Sequence, residues 1–186
     1  VPVEAVIETV TDPAQAGAVA EVAAATFPLA CPPHSTADDI AGFIRENLHP
    51  ERFADHIHSP DSDVLTARDG IAGPIVGYAL IHHCAPTHPD VAAVVTERPV
   101  TEISKMYVAP THHALGRGTP PSHALMRAAL DLARERGSVL AWLGVNQENV
   151  RAQRFYAKMG FTRVGVKTFD LNGSIEHDFI LAQPLT

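Results

Sequence analysis

Apolar positions along the chain follow two different periods. Residues 3–10 are rich in β-branched side chains and predict a first strand. Asp12-Pro13 then opens an alanine-rich helix running to about Ala25, with Asp12 as cap and Pro13 at the first helical position. Three prolines between Phe27 and Pro33 predict a loop. Ser35 and Thr36 cap a second helix whose apolar stripe is Ile40, Phe43, Ile44 and Leu48, and a short helix over 51–58 follows Pro50. The period then shortens to two. Residues 63–68 and 75–83 read as antiparallel strands joined through 69–73, positions 85–99 as a proline-containing loop, and 101–108 as a further strand. Gly116-Arg117-Gly118 leads into a helix with Leu125, Met126, Ala129, Leu132 and Ala133 on one face, stopped by Gly137. A strand over 139–145 and a helix over 148–159 ended by Gly160 come next. Two last strands, 162–171 and 175–183, turn at Asn172-Gly173. Alternating strands and helices without a repeat or linker predict a single α/β domain over 1–186.

Charge narrows the partners. Lys+Arg total 14 against Asp+Glu 21, a formal charge of -7, so no general attraction to nucleic acid or anionic membranes is expected. The longest apolar run, 73–81, is half of what a membrane span needs, and the first ten residues carry Glu4 and Glu8 but no basic cluster. A cytoplasmic protein is the expectation. Cys31 and Cys84 are too few for a disulfide framework and too far apart for a CxxC site. The histidine pairs His56-x-His58, His82-His83 and His112-His113 suggest a metal, but neighbours on a strand point to opposite faces and neither cysteine has ligand spacing, so no metal is expected.

Two segments carry candidate chemistry. A glycine-rich turn between a strand and a helix exposes backbone N–H groups at the positive end of the helix, where a phosphate or pyrophosphate would bind. Taken alone, the turn at Gly116 and Gly118 is equally a simple tight turn. On the later helix, Ala152, Phe155, Tyr156 and Met159 take adjoining positions, so the Tyr156 hydroxyl either reaches a cleft or sits at the rim of a core.

The combination of a strand ending Met106-Tyr107-Val108, then His113-x-x-Gly116-x-Gly118, then Asn149-x-x-Ala152-x-x-Phe155-Tyr156-x-x-x-Gly160-Phe161, resembles the GNAT superfamily of N-acetyltransferases. His113 stands where that family's phosphate motif usually has Gln or Arg. Thr26-Phe27, Phe43-Ile44, Pro60-Asp61-Ser62, Trp142-Leu143-Gly144-Val145 and the tail over 169–178 are similar to PaiA-type spermidine/spermine acetyltransferases. The resemblance implies a mixed, mostly antiparallel sheet flanked by helices and splayed at an acetyl-CoA cleft.

It also implies site residues. Backbone groups of Met106 and Val108 would pair with the pantetheine amides like an added strand, and Tyr107 between them is a further cofactor-binding candidate. His113, Ala114, Leu115, Gly116, Arg117 and Gly118 would cradle the pyrophosphate, and Asn149 with Asn146 would hold the cofactor arm. Tyr156 would donate a proton to the departing thiolate, and Glu102 stands where some members carry a glutamate base. Strict alternation places Glu102, Ser104 and Met106 on one face. Pro120 and Pro121 insert about one extra turn and remove two N–H donors beside the pyrophosphate. Asp38, Asp39 and Glu46 are candidate groups for recognising a small cationic amine, plausibly a polyamine, and Cys84 is a candidate for the cleft wall. Three alternatives stay open: another amine acceptor (an antibiotic, an amino acid or a protein), a non-catalytic acyl-CoA-binding module, and a homodimer in place of a monomer.

Overall fold

A computed structural model of the chain describes residues 4–112, 118–171 and 173–185. Among them, β1 (Ala5–Thr9), β2 (Ser62–Asp69), β3 (Ile75–His82), β4 (Val100–Val108), β5 (Leu140–Asn146), β6 (Thr162–Leu171) and β7 (Ser174–Pro184) form one sheet in the order β1-β2-β3-β4-β5-β7-β6. Every neighbouring pair is antiparallel except β4 and β5. The mixed, mostly antiparallel sheet expected from the sequence is present. Its helices are α1 (Ala16–Ala30), α2 (Ala37–Asn47), α3 (Pro50–His58), α4 (Pro89–Val94), α5 (Pro121–Glu135) and α6 (Val150–Lys158). None is long and apolar enough to cross a membrane.

Alternation along the strands sorts side chains to two faces. On one face Leu65, Ala79, Ile81, Ala141, Leu143, Val145 and Leu181 pack against Leu125, Met126, Ala129 and Ala133 of α5, with Ala152, Phe155 and Tyr156 of α6 at the margin. On the other, Val64, Tyr78 and Leu80 meet Val19, Ala23 and Phe27 of α1 and Phe53 of α3. Further along that second face, Val100, Leu140, Trp142, Ile180 and Ala182 pack under Val91 of α4.

Two loops expected from prolines are helical. The chain stays in α1 through Pro28 to Ala30. Pro28 lies in the last turn, where its missing N–H removes one bond only, and Phe27, 6% exposed and stacked on Phe43 at 4.6 Å, holds the turn against the sheet. Within 85–99, α4 forms because Pro89 sits at its first position and the His88 side chain accepts from the Asp90 N–H at 3.1 Å.

The site depends on the β4–β5 junction. The two strands pair only at Val100↔Leu140, Thr101↔Ala141 and Glu102↔Trp142, and then part. Beside the parting, the β3–β4 register shifts, with Leu80 opposite Lys105 but Ile81 opposite Ile103, so Ser104 is an extra residue in β4. A bulge bends its strand and increases local twist, which turns β4 away from β5. It also reverses the alternation. Ile103, Met106 and Val108 lie in the α5 core, while Tyr107 packs on the α1 side. The expected shared face of Glu102, Ser104 and Met106 is therefore corrected: Glu102 shares a face with Lys105 and Tyr107, because the bulge adds one residue, Ser104, between Glu102 and Lys105.

Below the parting, Thr101 Oγ1 is hydrogen-bonded to Ser138 Oγ at 2.8 Å and to His83 Nδ1 at 2.9 Å, and His83 Nε2 lies 2.8 Å from Asp63 Oδ2. Thr101 is 0% exposed. This chain ties β2, β3 and β4 to the turn that leads into β5. Replacing Thr101 with the isosteric Val leaves two buried polar partners unpaired, at a cost of about 1–3 kcal/mol. The expected outcome for Thr101→Val is a folded protein with Tm lower by about 2–12 °C, read by calorimetry.

Candidate active site

Where β4 and β5 diverge, a cleft of about 740 Å³ passes through the sheet, lined by β4 from Glu102 to Val108, by β5 from Gly144 to Asn146, and by α1, α6, β6 and β7. Its backbone edge is readable from two contacts. The Ala109 N–H donates to Val76 O at 2.7 Å, and a Cβ on Gly77 would lie 2.9 Å from the Tyr107 carbonyl oxygen, so residues 107 and 109 turn their backbone groups to β3. Alternation turns those of Met106 and Val108 away from β3 and to the cleft, past the last pair of β4 with β5. An extended amide-bearing chain would complete them as an added strand does. Tyr107 lines the cleft as well, its ring 6.0 Å from that of Tyr78.

On the α5 side stands Tyr156. It packs against Phe155 at 5.4 Å and Phe161 at 6.1 Å, and burial pushes its phenol up to about 12. The hydroxyl therefore keeps its proton at neutral pH. Asn149 caps α6, its Oδ1 accepting from the Ala152 N–H at 3.1 Å, which leaves its NH₂ for other partners. The Asn146 Oδ1 accepts from the Glu148 N–H at 2.9 Å, and its NH₂ points to Glu176 at 3.5 Å. Ser122 and His123 of α5 also reach the cleft. Pro120 is the N-cap of α5 and Pro121 its first residue. His113, Ala114, Leu115, Gly116 and Arg117, expected to cradle the pyrophosphate, lie outside the described residues. Gly118 lies just beyond them, with φ +135.

On the α1 side the cleft is polar. Glu102, Lys105, Lys167, Glu176 and Asp178 all line it. Burial raises the Glu102 carboxyl above its ordinary value, with Lys105 and Lys167 opposing the rise. Burial lowers the Lys105 ammonium, with Glu102 opposing. Asp178 Oδ2 lies 3.8 Å from Lys167 Nζ, and burial raises its carboxyl too. Lys167 lies across Gly144, where any added Cβ would fall 2.6 Å from its Cε. A side chain there would displace it.

Several expectations change. Asp38 and Asp39 occupy the first turn of α2, and neither they nor Glu46 line the cleft. The helix turns Phe43 to it instead, because its apolar stripe must pack on α1. Cys84 is exposed beside a shallow surface pocket, whereas Cys31 lines the cleft, its thiol pushed up to about 11 by burial and by Glu176. The histidine pairs separate as alternation requires: His82 bonds to Ser62 Oγ at 2.8 Å and faces His56, while His83 joins the Thr101 chain. Glu176 and Asp178 were missed, although two acids at strand spacing are the available signal.

A different histidine gathers carboxylates. His34, between α1 and α2, places Nε2 2.6 Å from Glu176 Oε1 and Nδ1 3.3 Å from Glu148 Oε2. The ligand atoms of this trio lie within 4.8 Å of one another, close enough for a cation, but both ring nitrogens already face carboxylates. The arrangement acts as a strap from the α1–α2 connection to β7 and to the start of α6.

Comparison with known proteins places this geometry. The model of the acetyltransferase (GNAT) family matches residues 25–161. The chain belongs to the GNAT family. It is 41% identical over 167 residues to an uncharacterized N-acetyltransferase of Mycobacterium tuberculosis, covering 90% of this chain and 96% of that one. It is also 36% identical over 85 residues, 44% of this chain and 43% of the other, to the streptothricin acetyltransferase of Streptomyces lavendulae. The crystal structure of the PaiA N-acetyltransferase of Thermoplasma acidophilum in complex with coenzyme A superposes with a TM-score of 0.71 at 19% identity, over 96% of this chain and 99% of that one. This GNAT chain is thus an N-acetyltransferase using acetyl-CoA, and the open backbone edge of β4 in its cleft fits that co-substrate.

The strap yields a test. Its hydrogen bond to Glu176, and the charges of Glu176 and Glu148, raise the His34 imidazolium above the usual 6.5. A group raised by folding stabilises the fold fully below its unfolded value, and that contribution is lost as pH rises through the folded value. In an NMR titration His34 should titrate above 6.5, and Glu176→Gln should bring it back toward the ordinary histidine range.

Proposed function

We propose that the enzyme transfers the acetyl group to a primary amine of a small cationic substrate, a polyamine being the leading class, by direct attack within a ternary complex. The observation that carries this reading is the division of the cleft. A protonated phenol, Tyr156, stands on the α5 side, and the carboxylates Glu102, Glu176 and Asp178 gather on the α1 side. Acetyl-CoA supplies the activated acyl group. Met106 and Val108 would receive the pantetheine amides with their cleft-facing backbone groups, the Asn149 NH₂ would hold the same arm with help from Asn146, and residues 113–118 would meet the pyrophosphate.

A primary amine of ordinary pKa near 10.4 is almost wholly charged at pH 7, and freeing its lone pair costs about 4.6 kcal/mol. Glu102 suits the receiving role because its carboxyl is raised toward neutrality. Tyr156 then protonates the leaving thiolate, a better anion than the phenolate. The acids of the α1 side favour a cationic acceptor. The segment similar to streptothricin acetyltransferase supports a second reading, in which the acceptor is an amine of a streptothricin-type antibiotic.

A turnover screen with acetyl-CoA over polyamines, streptothricins, aminoglycosides, amino acids and peptides decides between these acceptors. Acetylation of spermidine is expected, and turnover confined to peptides would overturn the small-amine reading. Tyr156→Phe should lower kcat by about 10²-fold, with acetyl-CoA affinity unchanged by calorimetry. Glu102→Gln should lower kcat/KM most above the raised Glu102 pKa. Below it the wild-type carboxyl is protonated and accepts nothing, so the two pH profiles should converge in acid. Parallel profiles over the whole range would remove Glu102 from the mechanism.

A further inference from the structure

The chain contains three lysines, Lys105, Lys158 and Lys167, against eleven arginines. All three line the acetyl-CoA cleft. Their surroundings differ. Lys167 faces Asp178 at 3.8 Å, and Lys158 is exposed on the last turn of α6. Lys105 is partly buried on β4 between the bulge residue Ser104 and Met106, whose backbone faces the cleft. Among the described residues, the polar contact of its Nζ is Ser104 Oγ at 3.5 Å, and no carboxylate lies within ion-pair distance. The neighbouring groups are Glu102, which favours its charged form, and Arg52 and Lys167, which disfavour it; burial disfavours it most. His56 and His82, on the elements packed beside it, are both held down at about 4 by burial and nearby cations and so add no charge at neutral pH.

An amine that sits in the acyl-donor cleft, shares a strand face with a carboxylate and has its charged form disfavoured by burial has what an acceptor needs. We infer that Lys105 is itself an acetyl acceptor, so that the enzyme acetylates its own cleft lysine when no amine substrate is bound. This rests on the reading that acetyl transfer takes place between Tyr156 and Glu102. In the step, the neutral Nζ attacks the thioester carbonyl carbon, a C–N bond forms, and the C–S bond breaks. Glu102 takes the proton lost by nitrogen, and Tyr156 gives one to the sulfur. The products are an Nε-acetyl amide and free CoA, with the two side chains re-equilibrating through water. No oxidant or further reactant is needed. The product amide carries no charge and lengthens the side chain within the polar half of the cleft, so the modified enzyme should be closed to other amines.

The test is peptide mapping by mass spectrometry of the purified protein incubated with acetyl-CoA, with and without an amine found active in the turnover screen. One acetyl group per chain is expected, at Lys105, where trypsin then no longer cuts. Its formation should be about 10²-fold slower in Tyr156→Phe, suppressed by the amine substrate, and accompanied by loss of turnover in proportion to modification. Lys105→Arg should remain unmodified, and the turnover it has at the start, whatever its level, should not decline through the same incubation. Acetylation that appears first at exposed Lys158, at a rate indifferent to Tyr156→Phe, is solution chemistry and overturns the inference. An enzyme that turns over amines yet leaves Lys105 unmodified in the incubation without amine overturns it too, while leaving the proposed function intact. Absence of both, with acetyl-CoA binding seen by calorimetry, overturns the two together.

Discussion

The functional geometry depends on one failure of strand pairing. β4 and β5 share three residue pairs, and beyond Glu102↔Trp142 the two strands no longer pair with each other. Unpaired backbone inside a protein is costly unless something satisfies it, so a seam of this kind is stable where water or a ligand enters. Two features maintain it. The Ser104 bulge bends β4 away, and β5 stays in its place because it pairs with β7 along its whole length, Leu140↔Pro184 to Asn146↔Asp178. The Thr101–Ser138–His83–Asp63 chain stops the parting from running further down the seam.

A passage through a sheet joins two environments that a closed sheet would keep apart. On the α5 side, the aromatic and aliphatic packing around Tyr156 keeps a phenol protonated. On the α1 side, strand residues bring carboxylates and ammonium groups into partial burial, where each shifts toward its neutral form. Proton transfer needs groups that exchange protons near the working pH. Burial moves Glu102 and Lys105 in that direction, the carboxyl up and the ammonium down. The bulge determines which side each β4 residue faces, so one extra residue separates the apolar wall of Met106 and Val108 from the polar wall of Glu102 and Lys105.

Local signals and tertiary packing agree over most of the chain and part at identifiable places. Prolines at 28 and 89 both suggested loops. Pro89 begins a helix, where its missing N–H has no intrahelical use, while Pro28 ends one, held by the burial of Phe27. The acids of α2 are served by their own helix N-terminus and solvent. Those of β7 have no such local use and are directed into the cleft by strand alternation.

By itself the sequence determined the element types and the family. Hydrophobic periods of two and 3.6, with the caps Asp12 and Thr36 and the turns at Gly70, Gly137 and Gly173, are local features, and local sterics and hydrogen bonding suffice to read them. The motif residues Tyr156 and Asn149 were legible for the same reason, since their spacing lies within one helix. Tertiary structure decided the rest. The bulge at Ser104 arises from pairing with β3 and leaves no mark in the pattern of β4, so the true face of Glu102 was hidden. Glu176, Asp178, Lys167 and His34 join the site from segments far apart in the chain, and only the folding of the sheet brings their charges within a few ångströms. Periodicity reports which way a side chain faces on its own element, whereas the charges it meets there depend on which strands become neighbours.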